Sequence, residues 1–474
     1  MQSQVLLETS EYDASASPRM AEYQPMAVLE VELGERLPVL SATNAQTGDR
    51  YQRTLCLVRL HSQPLGRLEL ALNNGQSQPE EYVPLIWQAL HNEINEHLQA
   101  DGLPAVTELK SDGLCPDSTP RCLAEREQFL AHAPFVSVVI PTHNRPDRIQ
   151  SCLRTLLELD YPHYEIVVVD NAPGGPETAR YIQQTYADHP RIRYVREDRA
   201  GGSWARNCGI NAARGEILAF ADDDIVVDRH WLTAMVKAFT VETDVACVTG
   251  LLLPLELETP AQFWIEEYGG FSKGFHRRIF DMKKYHPRTP LHPFTAGQFG
   301  TGACMAFTAR FLREVGGFDI ALGPATVARG GEDLTLFFEA IVHGHKLVYE
   351  PAAIGYHPHH RAYEALRQQV YSYGIGIAAF MLRNIMQHPR LLFSFLGKLP
   401  YGLYFILGSR SSKNSKKSSR YPEELTKLEL RGMLYGPFAY LRSRWKVRRA
   451  RQPLSRQPLS HAEKPGDLPG RAES

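Results

Sequence analysis

From Phe135 onward the chain alternates between two patterns of apolar and polar positions. FVSVVIPT is an unbroken apolar run rich in β-branched residues, the pattern of a strand buried on both faces. RIQSCLRTLLEL repeats its apolar residues at helical spacing. EIVVVDNA predicts a second buried strand, PETARYIQQTYA a helix, RIRYVRED a third strand, GSWARNCGINAARG a helix and EILAFADDD a fourth strand. Strict β/α alternation predicts a doubly wound parallel sheet with helices on both faces. Ligands of such sheets bind beyond the carboxyl ends of the strands. Three strands end there in polar clusters: Pro141-Thr142-His143-Asn144-Arg145, Asp170-Asn171 and Asp222-Asp223-Asp224. The three are expected to share one crevice.

On either side the pattern differs. MAVLEVELG, YQRTLCLVRLH and LGRLELAL alternate with period two and predict short strands. EYVPLIWQALHNEINEHLQADG places Val83, Trp87, Leu90, Ile94 and Leu98 on one helical face, and Gly102 closes it. The stretch from Leu103 to about Ala131 reads as a linker. After Arg361, YSYGIGIAAFMLRNIM and LLFSFLGKLPYGLYFILG are apolar but interrupted by Arg383, Lys398 and Pro400. Neither offers the roughly 20 apolar residues of a span. Basic residues follow, from Arg410, Lys413, Lys416, Lys417 and Arg420 to Arg442, Arg444, Lys446, Arg448, Arg449 and Arg451. An apolar helix beside a polybasic segment suits an anionic membrane surface. The start, MQSQVLLETSEYDASASP, lacks the pattern of a signal peptide. The tandem RQPLS near the end predicts disorder.

Composition narrows the partners. At 474 residues the chain is long enough for two or three domains, and a formal net charge of −1 gives no global field for nucleic acid. Seven scattered cysteines, odd in number, match neither a zinc spacing nor a disulfide framework, and favour a reducing cytoplasm.

The chemistry is concentrated in the acids. Asp222, Asp223 and Asp224 repel one another at the end of a hydrophobic run. Asp228 already serves as the cap of the following helix, RHWLTAMVKAF, so the triplet is not a cap. A hard divalent cation, Mg²⁺ or Mn²⁺, relieves that repulsion and takes its remaining ligands from phosphate and water. The substrate is then phosphorylated. No GxxxxGK[ST] segment indicates ATP hydrolysis, and no GxGxxG follows the first strand, which excludes a dinucleotide-dependent reductase.

Taken together, VSVVIPTHNR, EIVVVDNA, ARNCGINAARGEILAFADDD and GGFD…GGEDLTLFF resemble family 2 glycosyltransferases with the GT-A fold, over roughly Val136 to His360. The resemblance implies sugar transfer from a nucleotide diphosphate to a hydroxyl acceptor, with inversion and with Mg²⁺ or Mn²⁺. It places Pro141, Thr142, Asn144 and Arg145 along the nucleotide pocket, and Asp170 on a base N–H. Arg206 would face the nucleotide or its diphosphate. Asp222 and Asp224 would form the DxD pair, with one of them or Asp223 on the metal and another on the ribose. Asp333 would be the general base, and Glu332 would touch the acceptor or orient that base. His357 is expected near the metal or diphosphate, with His359, His360 and Arg361 forming a positive cluster beside it. Trp264, Glu266 and Glu267 would shape the acceptor region. Relatives often carry Asn where this chain has Cys304, which removes a polar acceptor contact there.

The reading is thus an α/β protein with a GT-A-type, doubly wound, mostly parallel sheet. A strand-rich α+β module and linker occupy 1–130, and the catalytic domain 131–360. A helical, basic, membrane-associating region spans 361–450, and a disordered tail 451–474. The partners are a nucleotide-sugar donor, a carbohydrate or lipid-linked acceptor and the inner face of the cell membrane. The alternatives are a non-catalytic nucleotide-sugar-binding scaffold and a sugar nucleotidyltransferase.

Overall fold

The computed structural model describes residues 24–450, apart from 117, 288, 409, 412, 416 and 418–420. The leader, the RQPLS tail, Arg451, Lys416 and Arg420 of the expected basic segment lie outside the described residues.

The chain opens with β1 (Ala27–Glu32), β2 (Leu40–Ser41), β3 (Arg53–Leu60), β4 (Gln63–Ala71), β5 (Gln76–Ser77) and α1 (Pro79–Ala100). β1 and β3 pair in parallel, and β3 and β4 form a hairpin. Its two turn residues, His61 and Ser62, have φ of +53° and +68°. Both central residues in the left-handed region is the requirement of a type I′ turn, which matches strand twist. The Glu32 carboxylate accepts both turn amides, at 2.8 and 2.9 Å. Val83, Leu90, Ile94 and Leu98 of α1 are buried, as its periodicity predicts, with Tyr82 and Ile86 beside them, while Trp87 is half-buried. The expected linker is not all irregular: it holds α2 (Arg121–Leu130). None of the α2 residues is buried, so no apolar stripe marked it.

The next elements alternate. They are β6 (Val136–Thr142), α3 (Pro146–Leu157), β7 (Tyr164–Asn171), α4 (Glu177–Tyr186), β8 (Ile192–Glu197), α5 (Gly202–Ala212) and β9 (Ile217–Ala221). After them come β10 (Val226–Val227), α6 (Trp231–Lys237), β11 (Val245–Pro254), α7 (Pro260–Tyr268), β12 (Arg278–Phe280) and β13 (Cys304–Thr308). The series ends with α8 (Ala309–Val315), α9 (Glu332–Val342), β14 (Lys346–His357), α10 (Tyr363–Gln387), α11 (Leu392–Leu407) and α12 (Glu423–Ala450).

One sheet runs β10-β14-β11-β13-β9-β6-β7-β8, with β12 on β14. Alternate residues of each strand face opposite cores. Val138, Ile166, Val168 and Ala219 meet α3, α4 and α6; Val139, Val167, Val169 and Phe220 meet α5, α8 and α9. β9, β6, β7 and β8 are parallel, as are β11 and β14. β13 runs antiparallel to both β9 and β11, which departs from a strictly parallel sheet. Between β11 and β13 the chain makes a long excursion carrying α7 and β12. A chain that re-enters from the end it left must run backwards, whereas parallel pairing needs a full crossover. The sheet is mixed and mostly parallel, and strand order reverses between β6 and β9, the place where such sheets open a crevice.

The first sheet is docked on the second. Leu57 of β3 lies in the same buried cluster as Ile354 and Tyr356 of β14. A single buried guanidinium nitrogen of Arg59 reaches Glu30 at 2.6 Å and Asp228 at 2.8 Å. Asp228 also accepts the His230 amide at 2.8 Å, but the N-cap of α6 is His230, with no side-chain cap, so Asp228 is not the helix cap that the sequence suggested and ties the preceding turn to the module instead.

Candidate active site

The three polar clusters meet at the carboxyl ends of β6, β7 and β9. The Thr142 hydroxyl donates to Asp223 Oδ2 at 2.7 Å, and Arg145 lies 3.5 Å from Oδ1. Asp223 is therefore turned inward, with 6% of its surface exposed. Burial pushes its carboxyl up to about 6, against the Thr142 hydrogen bond. His143 Nδ1 is 2.6 Å from the Asn171 carbonyl. Asn144, at φ +52°, accepts the Gly174 amide at 2.9 Å. Pro141 precedes Thr142 within β6. Asp170 is fully buried; one oxygen accepts the Tyr194 hydroxyl at 2.9 Å and the other has no partner among the described residues. Burial raises its carboxyl above the ordinary aspartate value.

Asp222 and Asp224 flank the inward Asp223, and each meets cations. Asp224 Oδ2 accepts from Arg148 at 3.0 Å, and its Oδ1 is 3.5 Å from His357 Nε2. The other nitrogen of His357 is buried without a partner among the described residues. Asp222 Oδ1 is 3.2 Å from Arg206, whose second terminal nitrogen donates to Glu332 at 2.9 Å. One buried guanidinium therefore joins the aspartate triplet to the acid pair more than a hundred residues downstream. Its two terminal nitrogens are engaged by carboxylates, so Arg206 positions acids rather than presenting a free cation.

Glu332 and Asp333 form the first turn of α9, after Gly331 at φ +88°. A side chain at Gly331 would strike the backbone of Gly376 on α10, at 2.6 Å from its carbonyl. Asp333 Oδ1 accepts the Leu334 amide at 2.8 Å, and a Cβ at Gly302 would come within 2.9 Å of its Oδ2. Gly302 is thus what leaves room for this carboxylate. Burial raises both acids, Glu332 to about 7, and Arg206 pulls each back.

Several expected positions fall elsewhere. Cys304 points into the core, where its sulfur accepts the Trp231 indole N–H at 3.1 Å. β13 turns this side chain from the crevice, so replacing Asn with Cys removes no contact there. His359 is spent on Glu266 at 3.0 Å, which also pairs with Arg67 of β4. Arg361 is held by Glu256 and Glu258, and burial lowers the pKa of His360, so the expected positive cluster does not form. Trp264 packs with Leu366, Val370 and Leu425 in a satellite core. Two participants were not singled out. Arg148 stands one turn after Arg145 on α3; their spacing, just past a strand end, was the available signal. Tyr373 of α10 lies in the fields of Asp333 and Asp222, in a stretch whose apolar composition suggested a membrane instead.

Residues 137–316 match the family model described as glycosyl transferase family 2. Glycosyltransferase AglE of Haloferax volcanii is 41% identical over 104 residues, 21% of this chain and 33% of that protein. Validoxylamine A glucosyltransferase of Streptomyces hygroscopicus subsp. limoneus is 26% identical over 282 residues, 55% of this chain and 58% of that protein. The chain thus spans between a third and three fifths of these relatives. A mannosyltransferase of Pyrobaculum calidifontis, solved with GDP-Man and Mn²⁺, is 18% identical, covering 68% of this chain and 94% of its own, with TM-score 0.39. The matched segment carries Asp170, Arg206 and the aspartate triplet, and residues 137–316 are a glycosyl transferase family 2 region.

Proposed function

We propose that this chain is an inverting glycosyltransferase that moves a sugar from a nucleotide diphosphate to a hydroxyl acceptor. The observation that carries the reading is the Arg206 bridge, which puts Asp222 and Glu332 on one guanidinium. An acid cluster suited to a donor and an acid pair suited to an acceptor then share a single cleft.

Asp170, one oxygen of which has no partner among the described residues, would accept a base N–H. Thr142, Asn144 and Arg145 would line the nucleotide pocket with Pro141, and Asp223, which accepts the Thr142 hydroxyl, would meet the ribose. Asp222, Asp224 and His357 fit a divalent cation: two outward carboxylates and an imidazole are ligands common to Mg²⁺ and Mn²⁺ or to Mn²⁺ alone. Such an ion, when bound, neutralises charge on the leaving diphosphate. Asp333 takes the proton of the acceptor hydroxyl as the new C–O bond forms on the face opposite the breaking bond to the diphosphate. Its elevated pKa makes it a better base than an ordinary carboxylate. Glu332, locked to Arg206, fixes the start of α9 and hence the aim of Asp333.

Peripheral contact with an anionic membrane, at the cytoplasmic face, belongs to the same proposal, and the acceptor is then carbohydrate or lipid-linked. It is supported by Leu434, Phe438, Leu441 and Trp445, exposed along one face of α12. Arg442, Lys446, Arg448 and Arg449 are exposed beside them. α11 adds Phe393, Leu403 and Leu407. No helix among the described residues is long and apolar enough to cross a membrane.

The test is a thermal-shift and turnover screen of UDP-, GDP- and dTDP-sugars with Mn²⁺, followed by Asp333→Asn. Loss of a general base should lower kcat by about 10²- to 10⁴-fold while donor affinity holds. Unchanged turnover in Asp333→Asn would remove the mechanism. Donor binding without turnover on any acceptor would favour the scaffold, and pyrophosphate release the nucleotidyltransferase.

A further inference from the structure

Four potential metal ligands converge far from the crevice, in the N-terminal module. They are His61 at the β3–β4 turn, His97 in the last turn of α1, Asp101 at its cap and Cys122 at the start of α2. Their ligand atoms all lie within 4.8 Å of one another. Asp101 Oδ2 is the hub: it stands 2.7 Å from His61 Nδ1, 3.2 Å from His97 Nε2 and 3.0 Å from Cys122 Sγ. The two imidazole nitrogens are 3.1 Å apart.

Hydrogen bonding accounts poorly for this arrangement. Two ring nitrogens and a thiol crowd a single carboxylate oxygen, while Oδ1 of the same group is used separately, accepting the Cys122 amide at 2.9 Å. His61 is 5% exposed and Asp101 7%, so both are largely shielded from solvent. His61 also holds a left-handed backbone in a turn that would more cheaply take Asn or Gly. Such conformations persist where surrounding structure over-determines them.

We propose that His61, His97, Asp101 and Cys122 form a structural site for a transition metal ion of the zinc class. Zinc takes imidazole nitrogen and carboxylate oxygen at about 2.0–2.2 Å and thiolate at about 2.3 Å, in a tetrahedron. The edges of such a tetrahedron are roughly 3.3–3.6 Å, against 2.7–3.2 Å for the four contacts above and no more than 4.8 Å for any pair, so side-chain adjustments of about an ångström assemble it. Two nitrogens, one oxygen and one sulfur suit zinc rather than Mg²⁺, which requires oxygen. Four protein ligands close the coordination sphere, which makes the site structural and not catalytic. Binding displaces the Cys122 thiol proton and any ring proton that points at the centre.

The placement gives the ion a role. It pins the hairpin tip, the end of α1 and the start of α2 to one point. α2 leads directly into β6, and its Glu125 meets Lys237 of α6 at 3.0 Å. The ion would set how the module's exit feeds the catalytic sheet. No contiguous motif announced it. The ligands are spread from position 61 to 122, and only His97 and Asp101, four residues apart on a helix, are locally related. Cysteine spacing alone could not point to it, because it leaves histidine and aspartate out of the count.

The test uses the full chain. Metal content after dialysis against a weak chelator should be about one zinc ion per chain. Replacement by Co²⁺ should give the strong visible bands of tetrahedral cobalt and a thiolate-to-cobalt charge-transfer band. Cys122→Ser should erase that band and weaken Zn²⁺ affinity, measured against a chromophoric chelator, by at least about tenfold. Asp224→Asn should leave the zinc content and the cobalt spectrum unaltered, which separates this site from the crevice. A wild-type chain that takes up neither Zn²⁺ nor Co²⁺ would overturn the proposal. So would a cobalt spectrum indifferent to Cys122→Ser and His61→Gln.

Discussion

Within the aspartate triplet, neighbouring residues of one chemical type receive opposite environments. Asp222 and Asp224 meet Arg206, Arg148 and His357, while Asp223 is drawn inward by Thr142. That difference has a measurable consequence. The folded-state pKa of Asp223 is raised from 3.8 to about 6 by burial. Between those values the folded chain holds a proton that the unfolded chain releases. The stability this group contributes is then complete below pH 3.8 and is lost as pH rises through about 6. In metal-free buffer, Asp223→Asn should gain on the wild type by up to about 3 kcal/mol between pH 4 and pH 7. Paired denaturant titrations across that range measure the difference; a constant offset would mean the carboxyl is not destabilised by burial. Saturating Mn²⁺ should shrink the gain, because a cation favours the ionised triplet.

At the scale of elements, helix α10 departs furthest from its sequence pattern. Its apolar, glycine-containing stretch suggested a membrane surface. In the fold Leu366, Val370, Ile375, Ala379 and Phe380 are buried against the protein, and Gly376 abuts Gly330 and Gly331 just before the acid pair. Its glycines permit backbone contact with α12. A Cβ on Gly374 would meet the Glu429 carbonyl at 2.1 Å, and one on Gly432 the Tyr371 carbonyl at 2.3 Å. Gly374→Ala must therefore spread the two helices, at a cost of about 1–3 kcal/mol. Calorimetry should show Tm falling by a few degrees. Gly397→Ala on α11, where nothing lies within 4 Å, should leave Tm level or raise it, since alanine is the better helix former. Equal effects at both positions would mean that close packing is not what α10 and α12 depend on. Apolar content alone cannot separate a helix that faces protein from one that faces lipid, because both bury the same side chains.

For the whole molecule, apolar surface that does find a core is as informative as surface that does not. The N-terminal sheet spends Leu57, Arg59 and Arg67 on contacts with the larger sheet and the elements beside it. α11 and the outer face of α12 keep theirs: Phe393 is 82% exposed and Leu434 84%. Burying a side chain of this size in an apolar phase is worth about 1.5–3 kcal/mol. Phe393→Ser and Leu434→Ser should each lower affinity for phosphatidylglycerol vesicles about tenfold or more, with little change in Tm, as read by co-sedimentation. Added salt should weaken binding further by screening the basic residues of α12. Vesicle binding that ignores both substitutions would leave these faces for some other partner.

Local pattern was enough to define the alternating elements from β6 to α6, the polar ends of β6, β7 and β9, and the aspartates as a group apart. Each of these depends on period, composition or like-charge repulsion within a few residues. The reversed β13, the inward turn of Asp223 and Cys304, the Arg206 link to Glu332 and the convergence of His61, His97, Asp101 and Cys122 came only with the tertiary structure. Each is a meeting of residues distant along the chain or a choice of which way one side chain faces. Those are settled by packing of the whole fold, and no window of sequence contains them.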